Sequence, residues 1–361
     1  MSSGKRRSKV KGLLERLNGG ETVIVAEGYL FLFERRGLLK AGAYVPEVIL
    51  EHPDLVRQQY WEFVHAGSDV VLAFTYYAHR EKMRLIGREK DVEKMNRIAL
   101  KLAREVANET GTLMAGNICN TNLYKPDDPS WNDKIMNIFK EQIEWAVEEG
   151  ADYILSETCG DIGEAVLSVK AIKKYAPGLP AVATIPIYQN VIDGEVATLD
   201  NIKLSNAVKM LEDAGADVIG LNCARGPEMT MKIMDIVKEN CKKPVAAVPV
   251  PYRTTDEQPN MQLLTDPKTG KRLFPENLDC AFCTRSEIYE FGKRCKQMGI
   301  GYVGICCGNS PHYTRALAES VGHTPPASRY TTDLSQHFML GNDDSLNKHY
   351  TKDVKTLITI E

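Results

Sequence analysis

Vicinal cysteines end the run Gly304-Ile305-Cys306-Cys307-Gly308, and a third cysteine closes Gly220-Leu221-Asn222-Cys223. Adjacent cysteines rarely bond to each other, because disulfide geometry does not suit a single peptide unit. Thiolates gathered without disulfide pressure point to a soft, tetrahedral metal, and zinc is its usual occupant. Three protein ligands leave one position open, which marks a catalytic rather than a structural zinc. The plainer reading makes Cys223, Cys306 and Cys307 small buried residues. Cys119, Cys241 and Cys295 stand singly among apolar or helical residues and take that packing reading. Cys280-x-x-Cys283 lacks the second half of a zinc motif and reads as incidental loop cysteines.

For the three sulfurs to meet, the segments carrying them must end on one face. A phrase recurs along the chain: an amphipathic helix, a small turn, then a short apolar strand stopping at a polar or sulfur-bearing residue. Its copies span 66–75, 150–157, 214–223 and 299–306. Further apolar runs at 22–25, 112–116, 180–184 and 244–248 bring the strands to eight. Short, fully apolar strands belong to a parallel sheet buried on both faces. Helical periodicity fills the gaps at 54–65, 93–108, 131–149, 162–175, 204–213, 229–240, 286–298 and 311–321. These alternations predict an α/β fold, a (β/α)8 TIM barrel over residues 12–321. A doubly wound open sheet is the alternative, although no strand is followed by a Gly-x-Gly-x-x-Gly turn.

Two segments fall outside the repeat. Residues 252–284 form a long insertion between the seventh strand and its helix, of a length associated with lids and binding loops. Residues 322–361 read as an irregular C-terminal arm that packs on the barrel or on a neighbouring subunit. At the other end, residues 1–11 form a basic tail containing Lys5, Arg6, Arg7 and Lys9.

With 361 residues, 43% apolar and 26% charged, the chain has material for a large core. Forty-five basic residues against 48 acidic ones leave a charge of −3, which gives no electrostatic case for nucleic acid or an anionic membrane. The expected substrates are small molecules. No stretch approaches the run of about 18 apolar residues needed to span a membrane, and residues 1–16 carry charges where a signal peptide is apolar. A cytoplasmic location with reduced thiols is expected.

In a parallel barrel the carboxyl ends of the strands build the catalytic face. Here they lead into Ala26-Glu27-Gly28-Tyr29, Thr75-Tyr76-Tyr77, Asn117, Glu157, Pro186, Asn222-Cys223 and Cys306-Cys307. A Schiff-base aldolase would need a lysine at one of these ends, and none is present.

The two cysteine segments together resemble the zinc signature of the homocysteine S-methyltransferase family, with similarity over about residues 12–321. Glu34-Arg35-Arg36-Gly37, Lys40-Ala41-Gly42, Glu51-His52-Pro53 and Phe74-Thr75-Tyr76-Tyr77-Ala78 are most similar to its betaine branch. The resemblance implies zinc held by Cys223, Cys306 and Cys307. It implies methyl transfer from betaine to L-homocysteine, forming methionine and dimethylglycine without a nucleotide, folate or cobalamin. Zinc would deprotonate the homocysteine thiol, which with a free pKa of about 8.5 is otherwise mostly protonated. Glu157 matches the family's glutamate that receives the homocysteine amino group, with Glu27 and Gly28 beside it. Tyr44 and Tyr77, with Tyr29 and Tyr76 in the same loops, would hold the onium donor through cation–π contacts of about 0.5–2 kcal/mol each. Surface or interface tyrosines are the plainer reading. His337 would meet the donor carboxylate, from a neighbouring subunit of a homo-oligomer, unless it is a surface residue.

The chain departs from the vertebrate-type enzymes of that branch. Tyr44 stands for a tryptophan, Thr158 for a tyrosine, and Ala26-Glu27-Gly28 for Asp-Gly-Gly, and the arm is shorter. The smaller wall at Tyr44 keeps a sulfonium donor, dimethylsulfoniopropionate or S-methylmethionine, open beside betaine. A reading of another class, a non-catalytic thiol or zinc redox-sensing protein, would use the same cysteines without making methionine.

Overall fold

The computed structural model of the chain describes residues 10–358; the basic run at Lys5, Arg6, Arg7 and Lys9 lies outside them. Eight strands form the barrel: Val23–Ala26 (β1), Val70–Leu72 (β2), Leu113–Cys119 (β3), Tyr153–Glu157 (β4), Ala181–Ile185 (β5), Val218–Asn222 (β6), Val245–Val248 (β7) and Tyr302–Ile305 (β8). All pair in parallel and in chain order, and β1 meets both β2 and β8, which closes the sheet. The (β/α)8 TIM barrel is therefore borne out, and the open doubly wound alternative is not. Every residue of these strands is buried, so their sequences read as continuous apolar runs rather than alternations. On the barrel floor the hydroxyls of Tyr153 and Tyr302, the first residues of β4 and β8, meet at 3.1 Å.

Helices cover the outside, their apolar stripes turned onto the sheet. Ile162–Tyr175 and Leu204–Asp213 span the expected residues, and Pro53–Ala66, Val92–Thr110, Asn132–Glu148, Arg285–Gln297 and Pro311–Ser320 differ from expectation by at most two residues at an end. The helix expected at 229–240 is instead two, Pro227–Met231 and Met234–Asn240. Pro227 opens the first of them, where its missing N–H goes unneeded. Thr284 starts Arg285–Gln297 with a reciprocal cap, accepting from the Glu287 amide while the Glu287 carboxylate accepts from its own.

Several short helices escaped the sequence pattern, Leu13–Asn18, Val48–Glu51 and Arg80–Leu85 among them, and so did one beside the site. Tyr29–Arg35 begins directly after β1 and Gly28, and its Tyr29 ring is enclosed by Tyr60, Phe63 and Phe74. An all-apolar Tyr-Leu-Phe-Leu-Phe stretch has no polar face to reveal a period, because both sides of this helix are covered.

The insertion 252–284 is stitched down rather than free. The Met261 amide donates to the Ala224 carbonyl at 2.8 Å, the Gly226 amide to Thr254 Oγ1 at 2.9 Å, and Asn260 Nδ2 to Gln189 Oε1 at 3.0 Å. It braces the turn that follows β6. The arm packs on the barrel through Ser328 and Thr331, whose hydroxyls both donate to Glu319 at 2.8 Å. It is not wholly irregular, for it carries a π-helical turn at His349–Val354 and a short helix at Lys355–Ile358. Among the described residues no helix is long and apolar enough to cross a membrane.

Candidate metal centre and active site

β6 and β8 deliver the sulfurs. Cys223 follows Asn222, the last residue of β6, and Cys306 and Cys307 follow Ile305, the last of β8. The three sulfur atoms lie within 4.8 Å of one another, and those of Cys306 and Cys307 are 3.9 Å apart. Thiolates sharing a tetrahedral zinc at about 2.3 Å stand about 3.8 Å from each other, so the donor set and its spacing fit that ion. The close approach of Cys306 and Cys307 holds the Cys223 pKa well below the ordinary thiol range and pushes theirs well above it.

The backbone around this site is bent to present it. Among the described residues, non-glycine residues with positive φ are Tyr44, Tyr77, Thr158, Cys223 and Ala224, together with three Asn or Asp. Asn and Asp tolerate that region through their own side chains, whereas the other five do not. Thr158, Cys223 and Ala224 directly follow β4 and β6, Tyr77 lies in the loop after β2, and Tyr44 lies in the longer connection after β1. Each such residue stores on the order of 1–3 kcal/mol, so surrounding contacts must enforce it. For Cys223 those contacts are its amide bond to the Val248 carbonyl at 2.9 Å and the Met261 bond to Ala224 from the insertion.

Two carboxyl groups sit beside the sulfurs. Glu27, one residue past β1, and Glu157, the last residue of β4, both place a carboxyl oxygen within 4.8 Å of Cys306 Sγ and of each other. Asn117 Nδ2 donates to Glu157 Oε1 at 2.7 Å, and Asn222 Nδ2 to Glu157 Oε2 at 3.1 Å. Burial raises the Glu157 pKa to about 7 despite those donors. Glu27 is fully buried and no donor among the described residues reaches either of its oxygens. Burial first, then the charge of Glu157, holds its pKa well above the carboxylate range. Two such groups cannot both ionise without a cation between them. The pair is thus a ready receptor for an ammonium group.

A small cavity opens over this centre, walled by Gly28, Tyr29, Phe74, Tyr76, Cys306 and Cys307. Tyr29 contributes from within the core, and Tyr76 stacks at 4.4 Å, tilted, on Tyr77. Tyr44 lies with Phe31 against one face at 5.5 Å, and its pKa is pushed up to about 12 by burial, then by the charges of Glu34 and Cys307. Lys82 covers one face of Tyr77, its Nζ 3.8 Å from the ring centroid.

Residues 32–321 match the sequence profile of the family described as homocysteine S-methyltransferase. The chain belongs to that family. It is a methyltransferase by its relatives as well. It is 34% identical over 340 residues to the S-methylmethionine-homocysteine S-methyltransferase BHMT2 of Mus musculus, covering 90% of this chain and 86% of that one. It is 35% identical over 331 residues to betaine-homocysteine S-methyltransferase 1 of Pongo abelii, covering 88% and 78%. The solved homocysteine methyltransferase MmuM of Escherichia coli, in its metallated form, superposes with a TM-score of 0.64 at 17% identity, covering 84% of this chain and 97% of that chain. That likeness concerns the barrel.

The methyltransferase site gathers most of the residues singled out from the sequence. Cys223, Cys306, Cys307, Glu27, Gly28, Glu157, Tyr29 and Tyr76 converge around the cavity or the sulfurs. Tyr44 and Tyr77 lie near enough for the charge of Cys307 to act on both hydroxyls. Within its own chain His337 makes local contacts: its Nδ1 accepts from the Met339 and Leu340 amides, and its ring stacks on Phe338. Cys280 is exposed while Cys283 is buried, and neither is paired. Sequence reasoning placed Asn117 and Asn222 on the catalytic face without giving them a role, and it missed Lys82. For Asn222 a signal existed, since a polar residue ended an apolar strand next to a candidate ligand.

Proposed function

We propose that this enzyme transfers a methyl group from betaine to L-homocysteine, forming methionine and dimethylglycine, at a zinc held by Cys223, Cys306 and Cys307. The carrying observation is the meeting of three sulfurs with two buried carboxyl groups, one of them without a hydrogen-bond partner among the described residues, at the carboxyl ends of one barrel. Zinc when bound supplies Lewis acidity that lowers the pKa of an incoming thiol.

The protein's own groups do the rest. Glu157, fixed by Asn117 and Asn222, and Glu27 receive the homocysteine ammonium and so set where its sulfur arrives. Charge on the ammonium lets both carboxyls ionise, which couples amino-acid binding to proton release. Rings of Tyr76, Tyr77 and Tyr44 hold the onium, whose methyl groups offer no ordinary hydrogen bond. In the reaction a carbon–sulfur bond forms as the carbon–nitrogen bond breaks. The bonding pair stays on nitrogen, and the thiol proton leaves to solvent. No general base on the donor side is required.

Relatives named for betaine and for S-methylmethionine stand at nearly equal identity, so a sulfonium donor is the second reading. A panel decides: betaine, dimethylsulfoniopropionate and S-methylmethionine, each with homocysteine and zinc-loaded protein, methionine being measured. Betaine is expected to give the highest kcat/KM. A higher value for either sulfonium reassigns the donor. Failure of the zinc-loaded protein to bind homocysteine removes the enzyme reading and leaves a thiol protein of another kind.

A further inference from the structure

Lys82 lies on the short helix Arg80–Leu85, just beyond the Tyr76–Tyr77 pair that follows β2. Its neighbours have anionic partners: Arg80 pairs with Glu141 at 2.8 Å, and Arg84 with Glu81 at 2.6 Å. Lys82 is 9% exposed, yet no carboxylate among the described residues lies within ion-pair distance of it. Its ammonium rests instead on the Tyr77 ring. Burial draws its pKa below the usual lysine value, as expected of a cation removed from water without a counterion. A buried charge of this kind is normally paired.

The position of this ammonium matters for the donor. It lies on Tyr77, whose ring packs at 4.4 Å against Tyr76, and Tyr76 walls the cavity beside Cys307. A simple cation entering that cluster meets like charge at short range, in surroundings that screen it poorly. A zwitterion brings its own anion. We infer that Lys82 is the carboxylate-recognising group of the donor subsite, so that the donor class is an onium compound bearing its own carboxylate. This rests on the methyl-donor reading above. Lys82 then selects twice: it attracts the anionic end, and it repels cations that lack one.

The test compares betaine with betaine amide, which keeps the trimethylammonium group and replaces the carboxylate with a neutral group. Zinc-loaded wild type, Lys82→Met and Lys82→Arg are assayed for kcat/KM with homocysteine, or for Ki where a compound is not turned over. Wild type should prefer betaine by at least about tenfold, the scale of one charged hydrogen bond. That preference should collapse toward unity in Lys82→Met and return largely in Lys82→Arg. Equal preference in wild type and Lys82→Met, or no preference in wild type while methionine is still made, overturns the subsite and leaves the methyltransferase reading intact. If Lys82→Met does not fold, Lys82→Gln takes its place in the same comparison. Wild type that makes methionine from no onium donor removes both.

Discussion

Gly28 and Cys306 touch through their backbones. A Cβ on Gly28 would stand 2.3 Å from the Cys306 carbonyl oxygen and 2.8 Å from the Cys307 nitrogen, and the Gly28 φ of +81° is one that side chains resist. The end of β1 thus sets the position of two ligand cysteines at the end of β8. Gly28→Ala is expected to fold as a barrel but to lose about 10²-fold in methionine formation, the scale of a 1 Å misplacement, together with metal affinity. Zinc titration and kinetics check both; wild-type values for the variant would mean that the contact does not position the sulfurs.

Glu157→Gln removes the ionisable partner of the amino group; its one oxygen can keep the bond from Asn222, while Asn117 must turn its amide so that its unpartnered Oδ1 accepts from the new NH2. Homocysteine KM should rise at least about tenfold, and donor KM should change little. An acceptor thiol without the amino group should serve the variant and wild type alike. Equal losses on both acceptors would place Glu157 in the scaffold.

Tyr44→Ala opens the wall that Phe31 supports. It should raise donor KM by about tenfold or more and leave homocysteine affinity within about twofold, since each cation–π face contributes about 0.5–2 kcal/mol. Calorimetry with homocysteine alone separates the two. A matching loss in homocysteine affinity would show a general collapse of the site.

Much of this was legible in the chain because burial on both faces makes barrel strands conspicuous. The cysteine trio was legible because Cys306 and Cys307 adjoin and Cys223 ends a strand. The supports were not. Asn117 stands inside β3 rather than at its end, and its pairing with Leu155 is what places it near Glu157. Lys82 sits in a stretch of alternating charges that reads as solvent-facing, and only the fold over Tyr77 buries it.

His79 gives the protein an acid-sensitive point. It is buried before the helix Arg80–Leu85, and burial with the nearby Lys82 charge lowers its pKa to about 4. The unfolded chain takes up this proton near pH 6.5, whereas the folded chain resists it until about pH 4. Stability is therefore unaffected above pH 6.5 and falls as pH drops through the interval. His79→Asn, which keeps a capping acceptor and does not titrate, should lose less on going from pH 7.5 to 5.5, by about 1 kcal/mol. Parallel denaturation curves for the two proteins would assign the acid loss elsewhere.

Metal dependence tests the central claim most directly. Purified protein should carry about one zinc per chain by elemental analysis. Removal by a chelator should abolish methionine formation from homocysteine and betaine, and added zinc should restore it. Cys223→Ala should neither retain zinc nor respond to it. Methionine formation that survives complete removal of the metal, or a folded wild-type protein that takes up no zinc, would contradict the account.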